Sequence, residues 1–106
     1  MSGLFLFGPA AVWPGVAKAV EEMGELQQQL GKLVMVQGHD ALHWSGPLRP
    51  KIWEEVADVC ASMQFLLEHN ASAAELLYVN DRVAAKLDKF RRWHATGEKL
   101  VGETKQ

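Results

Sequence analysis

The 106 residues suffice for one domain with a modest core, so help from a second subunit in covering apolar surface is expected. Hydrophobic residues make up 48% and charged residues 23%, an ordinary globular balance that excludes a disordered or fibrous chain. The formal net charge of −2 excludes a broadly basic surface for nucleic acid, and the one cysteine, Cys60, excludes an internal disulfide.

The chain opens on an apolar arm, residues 1–13, containing Leu4, Phe5, Leu6 and Phe7. The run is too short to span a membrane and lacks the basic lead of a signal peptide, so a cytoplasmic location is expected. The arm is expected to pack on its own bundle or on a second subunit. A first helix is predicted from Pro14-Gly15 to about Met35. There Val16, Ala19, Val20, Met23, Leu26, Leu30 and Val34 recur at spacings of three and four. A loop follows from about Gln37 to Pro50, punctuated by Gly38, Gly46 and Pro47 and carrying His39, His43 and Trp44. A loop of that length in a small domain is a candidate wall or lid.

The second helix is predicted over about 50–69, with Pro50 in its first turn and Ile52, Val56, Val59, Met63 and Leu66 as its apolar stripe. Cys60, inside the run Val59-Cys60-Ala61, reads as core packing. The third opens on a capping box, Ser72-Ala73-Ala74-Glu75, and runs to about His94. Gly97 stops it, and Asn80-Asp81 is a potential break within it. Residues 97–106 read as a frayed polar tail. No strand, low-complexity tract, second domain or internal repeat is read. The expected fold is all-α, a small helical bundle completed by oligomerisation.

Two helices carry paired carboxylates. Glu22 and Glu25 on the first, like Glu55 and Asp58 on the second, are three residues apart and so neighbours on one helix surface. At about 100° per residue, Glu55 lies about 60° and Asp58 about 120° from the centre of the second helix's stripe. Glu22 sits at the border of the first helix's stripe, while Glu21 and Glu54 face away. Two such pairs on facing helices bring four carboxylates together, and their mutual repulsion calls for a cation. All-oxygen ligation suits Mg²⁺, or Mn²⁺. A di-iron bundle wants Glu-x-x-His pairs, which are absent.

On these residues the chain resembles the MazG-like family of all-α nucleotide pyrophosphohydrolases. The family pattern, E-E-x-x-E followed after a spacer by E-x-x-D, is met by Glu21-Glu22-Met23-Gly24-Glu25 and Glu55-Val56-Ala57-Asp58, and the resemblance covers residues 12–94. It implies a helical homodimer or homotetramer that uses Mg²⁺ to hydrolyse a nucleoside triphosphate to the monophosphate and pyrophosphate. Glu22, Glu25, Glu55 and Asp58 would be the metal ligands and catalytic carboxylates. Many members place a long helix before the first motif, where this chain has only its short arm. A neighbouring reading is phosphoribosyl-ATP pyrophosphohydrolase. A reading of another class is a non-catalytic helical interaction module whose acidic pairs only solubilise it.

A triphosphate needs further cations. Arg82, Lys86 and Lys89 form a stripe beside Val79, Val83, Leu87 and Phe90 on the third helix, and they are the expected phosphate-binding residues. The competing reading is a solvated flank of snorkelling side chains. Among the aromatics, Trp44, Trp53 and His39 are candidates to stack on a base, although packing is the ordinary role of tryptophan. His39 and His43 lack the further ligands of a zinc site.

Overall fold

The computed structural model of the chain describes residues 13–97; the N-terminal arm, apart from Trp13, and the tail beyond Gly97 lie outside the described residues. Three helices follow in order: α1, Val16–Met35; α2, Arg49–Asn70; and α3, Ala73–Thr96. No strand occurs among the described residues. The chain divides at the Asn70–Ala71 junction into two compact units, the first holding α1 and α2 and the second α3.

Local chemistry sets the helix ends. Gly15 adopts φ 87° to start α1, and its carbonyl accepts from Ala19 N–H at 3.0 Å. That left-handed geometry suits glycine, which has no Cβ to clash. Gln37 (φ 55°) and Gly38 (φ 85°) turn the chain away after α1, and Gly38 N–H closes on Leu33 O at 2.9 Å. In the second unit, Ser72 Oγ accepts from Glu75 N–H at 3.1 Å and Glu75 Oε1 accepts from Ser72 N–H at 2.9 Å. Both halves of the expected capping box are therefore formed. Gly97, at φ 75°, closes α3 by donating to Trp93 O. Asn80-Asp81 does not interrupt α3: its helical hydrogen bonds outcompete the local side-chain alternatives there.

In the first unit α1 and α2 pack antiparallel. Asn70, at the end of α2, donates from Nδ2 to Pro14 O at 3.0 Å and to Leu66 O at 2.8 Å, tying that end to the chain entering α1. The connection is a succession of turns rather than a structureless loop, with Leu42 N–H on His39 O, Gly46 N–H on His43 O and Leu48 N–H on Asp40 O. His43 is buried; its Nδ1 accepts from Ser45 N–H at 3.1 Å and meets Ser45 Oγ at 2.7 Å.

Among the described residues few apolar side chains are buried: Ala19, Leu48 and Ile52. Val16, Val20, Met23, Leu30 and Val34, expected on the inner stripe of α1, are exposed, as are Val83, Leu87 and Phe90 on α3. Cys60 is exposed too, correcting the expectation of a core cysteine; the α1 contact is made instead by the face that holds Ile52, Glu55 and Ser62.

Candidate metal centre

The interface between α1 and α2 is as acidic as it is apolar. Glu22 and Glu55 are 9% and 3% exposed, as deep as the apolar residues beside them. Their positions follow from the helical period. Ala19, Glu22 and Gln29 are the buried residues of α1, and Ile52, Glu55 and Ser62 those of α2. Within each helix these residues are three and seven apart, so they line one face.

One carboxylate oxygen each from Glu22, Glu25 and Glu55 lies within 4.8 Å of the other two. Three of the four expected ligands are thus brought together. Asp58 does not join this triple; it borders the adjoining cavity together with Glu22. The expectation that Glu22 only borders the stripe understates its depth, because the helix-helix contact is centred on the carboxylates.

Each buried carboxylate has one paired oxygen and one orphan. Lys18 Nζ lies 3.0 Å from Glu22 Oε2 and 3.1 Å from Glu21 Oε1. Lys51 Nζ lies 3.1 Å from Glu55 Oε2 and 3.7 Å from Glu54 Oε1. The buried Oε1 atoms of Glu22 and Glu55 accept no hydrogen bond. Buried polar atoms are nearly always satisfied, so two orphans in one cluster call for a reason. Glu25, exposed and outside every ion pair of the described residues, feels the same field. Desolvation first, then the negative charges of Glu22, Glu55 and Glu21, hold its carboxyl above the usual value. Lys18 and Lys51 are held above the usual lysine value chiefly by their bonds to Glu22 and Glu55.

The residues present fit a hard divalent cation. The donors are all carboxylate oxygens, two of them are buried without partners, and the excess negative charge is local.

The two lysines are functional candidates that sequence reasoning missed, and their signal was a repeat. Lys18, Glu21, Glu22 and Glu25 recur as Lys51, Glu54, Glu55 and Asp58 at a constant offset of 33 residues (18 to 51, 22 to 55). The buried trios obey the same offset (19 to 52, 22 to 55, 29 to 62). This corrects the reading that the chain has no internal repeat. Such matching in an antiparallel pair is what a local twofold axis between the helices produces.

The remaining candidates lie apart from this cluster. Trp53, 58% exposed, lines a second cavity of about 320 Å³ with Leu30, Asp40 and Arg49, and the Arg49 guanidinium sits 5.8 Å from its ring centroid. None of the four motif carboxylates lines that cavity. Trp44 is 86% exposed and His39 is exposed. In the second unit, Lys86 is half-buried while Arg82 and Lys89 are exposed. Lys86 Nζ lies 5.5 Å from the Phe90 ring and Lys89 Nζ 5.6 Å from that of Trp93, so both ammonium groups rest on aromatic faces.

No family model matches the chain, and no curated protein or solved structure matches it either. Among the described residues no helix is long and apolar enough to cross a membrane.

Proposed function

We propose that the chain is a divalent-metal-dependent nucleoside triphosphate pyrophosphohydrolase of the MazG-like kind. The observation that carries the reading is the pair of buried, unpartnered oxygens, Glu22 Oε1 and Glu55 Oε1, within a cluster completed by Glu25. A soluble interaction module gains nothing from burying two carboxylates with half their lone pairs unmet. Charged groups are kept in such positions when they hold something.

In this reading Glu22, Glu25 and Glu55, with Asp58 at the border, hold Mg²⁺ or Mn²⁺. The bound cation supplies Lewis-acid polarisation and charge neutralisation at the phosphoanhydride. Lys18 and Lys51 hold the Oε2 atoms and so fix the two carboxylate rotamers. Glu25, exposed and outside every ion pair of the described residues, has a second carboxylate oxygen that takes the proton from the attacking water as general base. The basic stripe of α3, Arg82, Lys86 and Lys89, is the cation source proposed for the leaving pyrophosphate. The wide exposure of apolar side chains on α1 and α3 supports assembly into a dimer or tetramer.

Phosphorus NMR of the purified chain with Mg²⁺ and a panel of nucleoside triphosphates, phosphoribosyl-ATP included, tests the reading. Monophosphate and pyrophosphate are the expected products, and the panel identifies the preferred substrate. Orthophosphate as the primary product overturns the assignment. A panel untouched with either Mg²⁺ or Mn²⁺ returns the chain to the interaction-module class.

A further inference from the structure

The two helices of the first unit form a layer whose sides differ. At about 100° per residue, measured from the buried face, one flank of α1 carries Val16, Val20, Met23, Leu30 and Val34, and the opposite flank carries Lys18 and Glu25. The 33-residue offset repeats the division on α2, with Trp53, Val56, Met63 and Leu67 on one flank and Lys51 and Asp58 on the other. A local twofold axis between antiparallel helices keeps like flanks on the same side of the layer. The two cavities agree with this. The Trp53 cavity is bordered by Leu30 of α1 with Trp53 and Val56 of α2; the cavity beside Glu22 is bordered by Lys18 of α1 with Asp58 and Phe65 of α2. One side of the layer is therefore the acidic centre, and the other is apolar and open. On that open side Val16, Val20, Met23, Leu30, Val34 and Trp53 are between 41% and 76% exposed.

We propose that the apolar side of the α1–α2 layer docks the same side of a second copy of this chain, about a twofold axis, and leaves the acidic side open to solvent. It fixes the face that the assembly named above leaves open, and it does not rest on turnover of nucleotides. Three observations name the occupant. The first is area. The exposed side chains of this side present roughly 600 Å² in one patch, the ceiling for the largest patch on a typical monomer and close to the ~800 Å² that each partner gives to a stable contact. Val56, Met63 and Leu67, half-buried, extend it. The second is charge. Along this flank of α1, from Val16 to Val34, Gln27 is the one polar member. Along that of α2, from Arg49 to Leu67, Arg49 is the one charge, and its guanidinium is drawn over the Trp53 ring at 5.8 Å. Two identical faces therefore meet without the like-charge repulsion that the acidic side would bring. The third is spacing. On both helices the flank advances by four and three residues in alternation (16, 20, 23, 27, 30, 34 and 49, 53, 56, 60, 63, 67). That rhythm lets the side chains of one helix seat between those of an identical one, and a twofold contact requires a face that complements itself.

The test is light scattering and thiol labelling of the full chain, in EDTA and in Mg²⁺. Cys60, the one cysteine, is exposed in the single chain and lies on the apolar side, so its labelling by a small maleimide reports cover there. The wild type is expected to assemble with or without metal, and Cys60 labelling is expected to slow as the protein concentration rises through the association range. Val20→Lys and Val34→Lys change exposed side chains and set a charge in the contact. Each is expected to weaken association about a hundredfold or more and to restore rapid labelling, with helicity by circular dichroism unchanged. Should one of them fail to fold, the other decides. Val83→Lys, on α3, is expected to leave assembly and labelling unchanged. The proposal is overturned by the mass of one chain at the highest soluble concentration, or by an assembly in which Cys60 labels as fast as in the Val34→Lys chain. An assembly that only Val83→Lys weakens, or one that forms only with Mg²⁺, overturns it as well. None of these measurements uses turnover, so an inactive chain that assembles this way removes the enzyme reading alone, and an active single chain removes the docking face alone.

Discussion

Replacing Glu55 by glutamine is expected to separate the stability of the helix pair from its metal response. Without metal, Glu55 is a liability: it is 3% exposed, its Oε1 accepts nothing, and it shares 4.8 Å with Glu22 and Glu25. A buried unsatisfied polar atom costs about 1–3 kcal/mol. In Glu55→Gln the amide oxygen can keep the Lys51 bond, the NH₂ can donate to a neighbouring carboxylate, and one like charge disappears. In a domain of this size about 1 kcal/mol moves Tm by roughly 4–8 °C. The variant is therefore expected to melt at least about 4 °C above the wild type in EDTA. With Mg²⁺ the order is expected to reverse. A ligand at a hundredfold excess over its Kd stabilises the native state by about 2.7 kcal/mol, and the variant, lacking a charged ligand, forgoes most of this. Calorimetric melts of both proteins in EDTA and in Mg²⁺ provide the measurement. A Glu55→Gln chain that melts below the wild type in EDTA, or that gains as much from Mg²⁺, refutes the reasoning.

Glu25 gives the metal-free chain a pH dependence of definite sign. Its carboxyl is held above the usual value in the folded state, so the folded chain keeps that proton longer than the unfolded one. Stability should fall as pH rises through the carboxylate range; melts from about pH 4 to about pH 7 check this, and Glu25→Gln should flatten the slope. Ser72→Ala removes one arm of the α3 capping box and should cost about 1 kcal/mol, read as lost helicity and Tm by circular dichroism. Lys86→Ala should keep Mg²⁺ affinity yet lose about 2–4 kcal/mol of transition-state stabilisation, and unchanged kinetics would return the basic stripe to a solvated flank. Light scattering should give a multiple of the 11.8 kDa chain mass, and the mass of one chain at micromolar concentration would refute the expected oligomer.

Where the sequence spoke through local chemistry, it was legible. Gly15, Pro50, the Ser72/Glu75 box and Gly97 each act within a few residues, and the three helices start and stop beside them. The carboxylate spacing was legible for the same reason, since helical geometry alone makes Glu22 and Glu25 neighbours. Depth was not legible. The apolar stripe of α1 reads as its inner face, yet Met23 and Val34 are exposed while Glu22 and Gln29 are buried. Hydrophobicity predicts burial only when apolar contact dominates the interface, and here a carboxylate cluster shares it. Lys18 and Lys51 were passed over because a lysine beside a glutamate is normally a solvated pair of small worth. Only the burial of their partners distinguishes them. The aromatic residues near the motifs drew attention to Trp53 and away from Phe65, whose place beside Gly15 depends on a contact across 50 residues of chain.

The matched halves of the acidic centre also bear on how such a site could arise. Lys18 to Glu25 is an eight-residue segment occupying about two helical turns, and Lys51 to Asp58 repeats its lysine and its acidic positions. A lone amphipathic helix bearing one module, paired antiparallel with its own copy, would already present two carboxylate pairs to one ion. Joining two copies by a turn would free each to diverge, and at the equivalent positions 15 and 48 one copy holds a glycine against the Phe65 ring where the other holds a buried leucine.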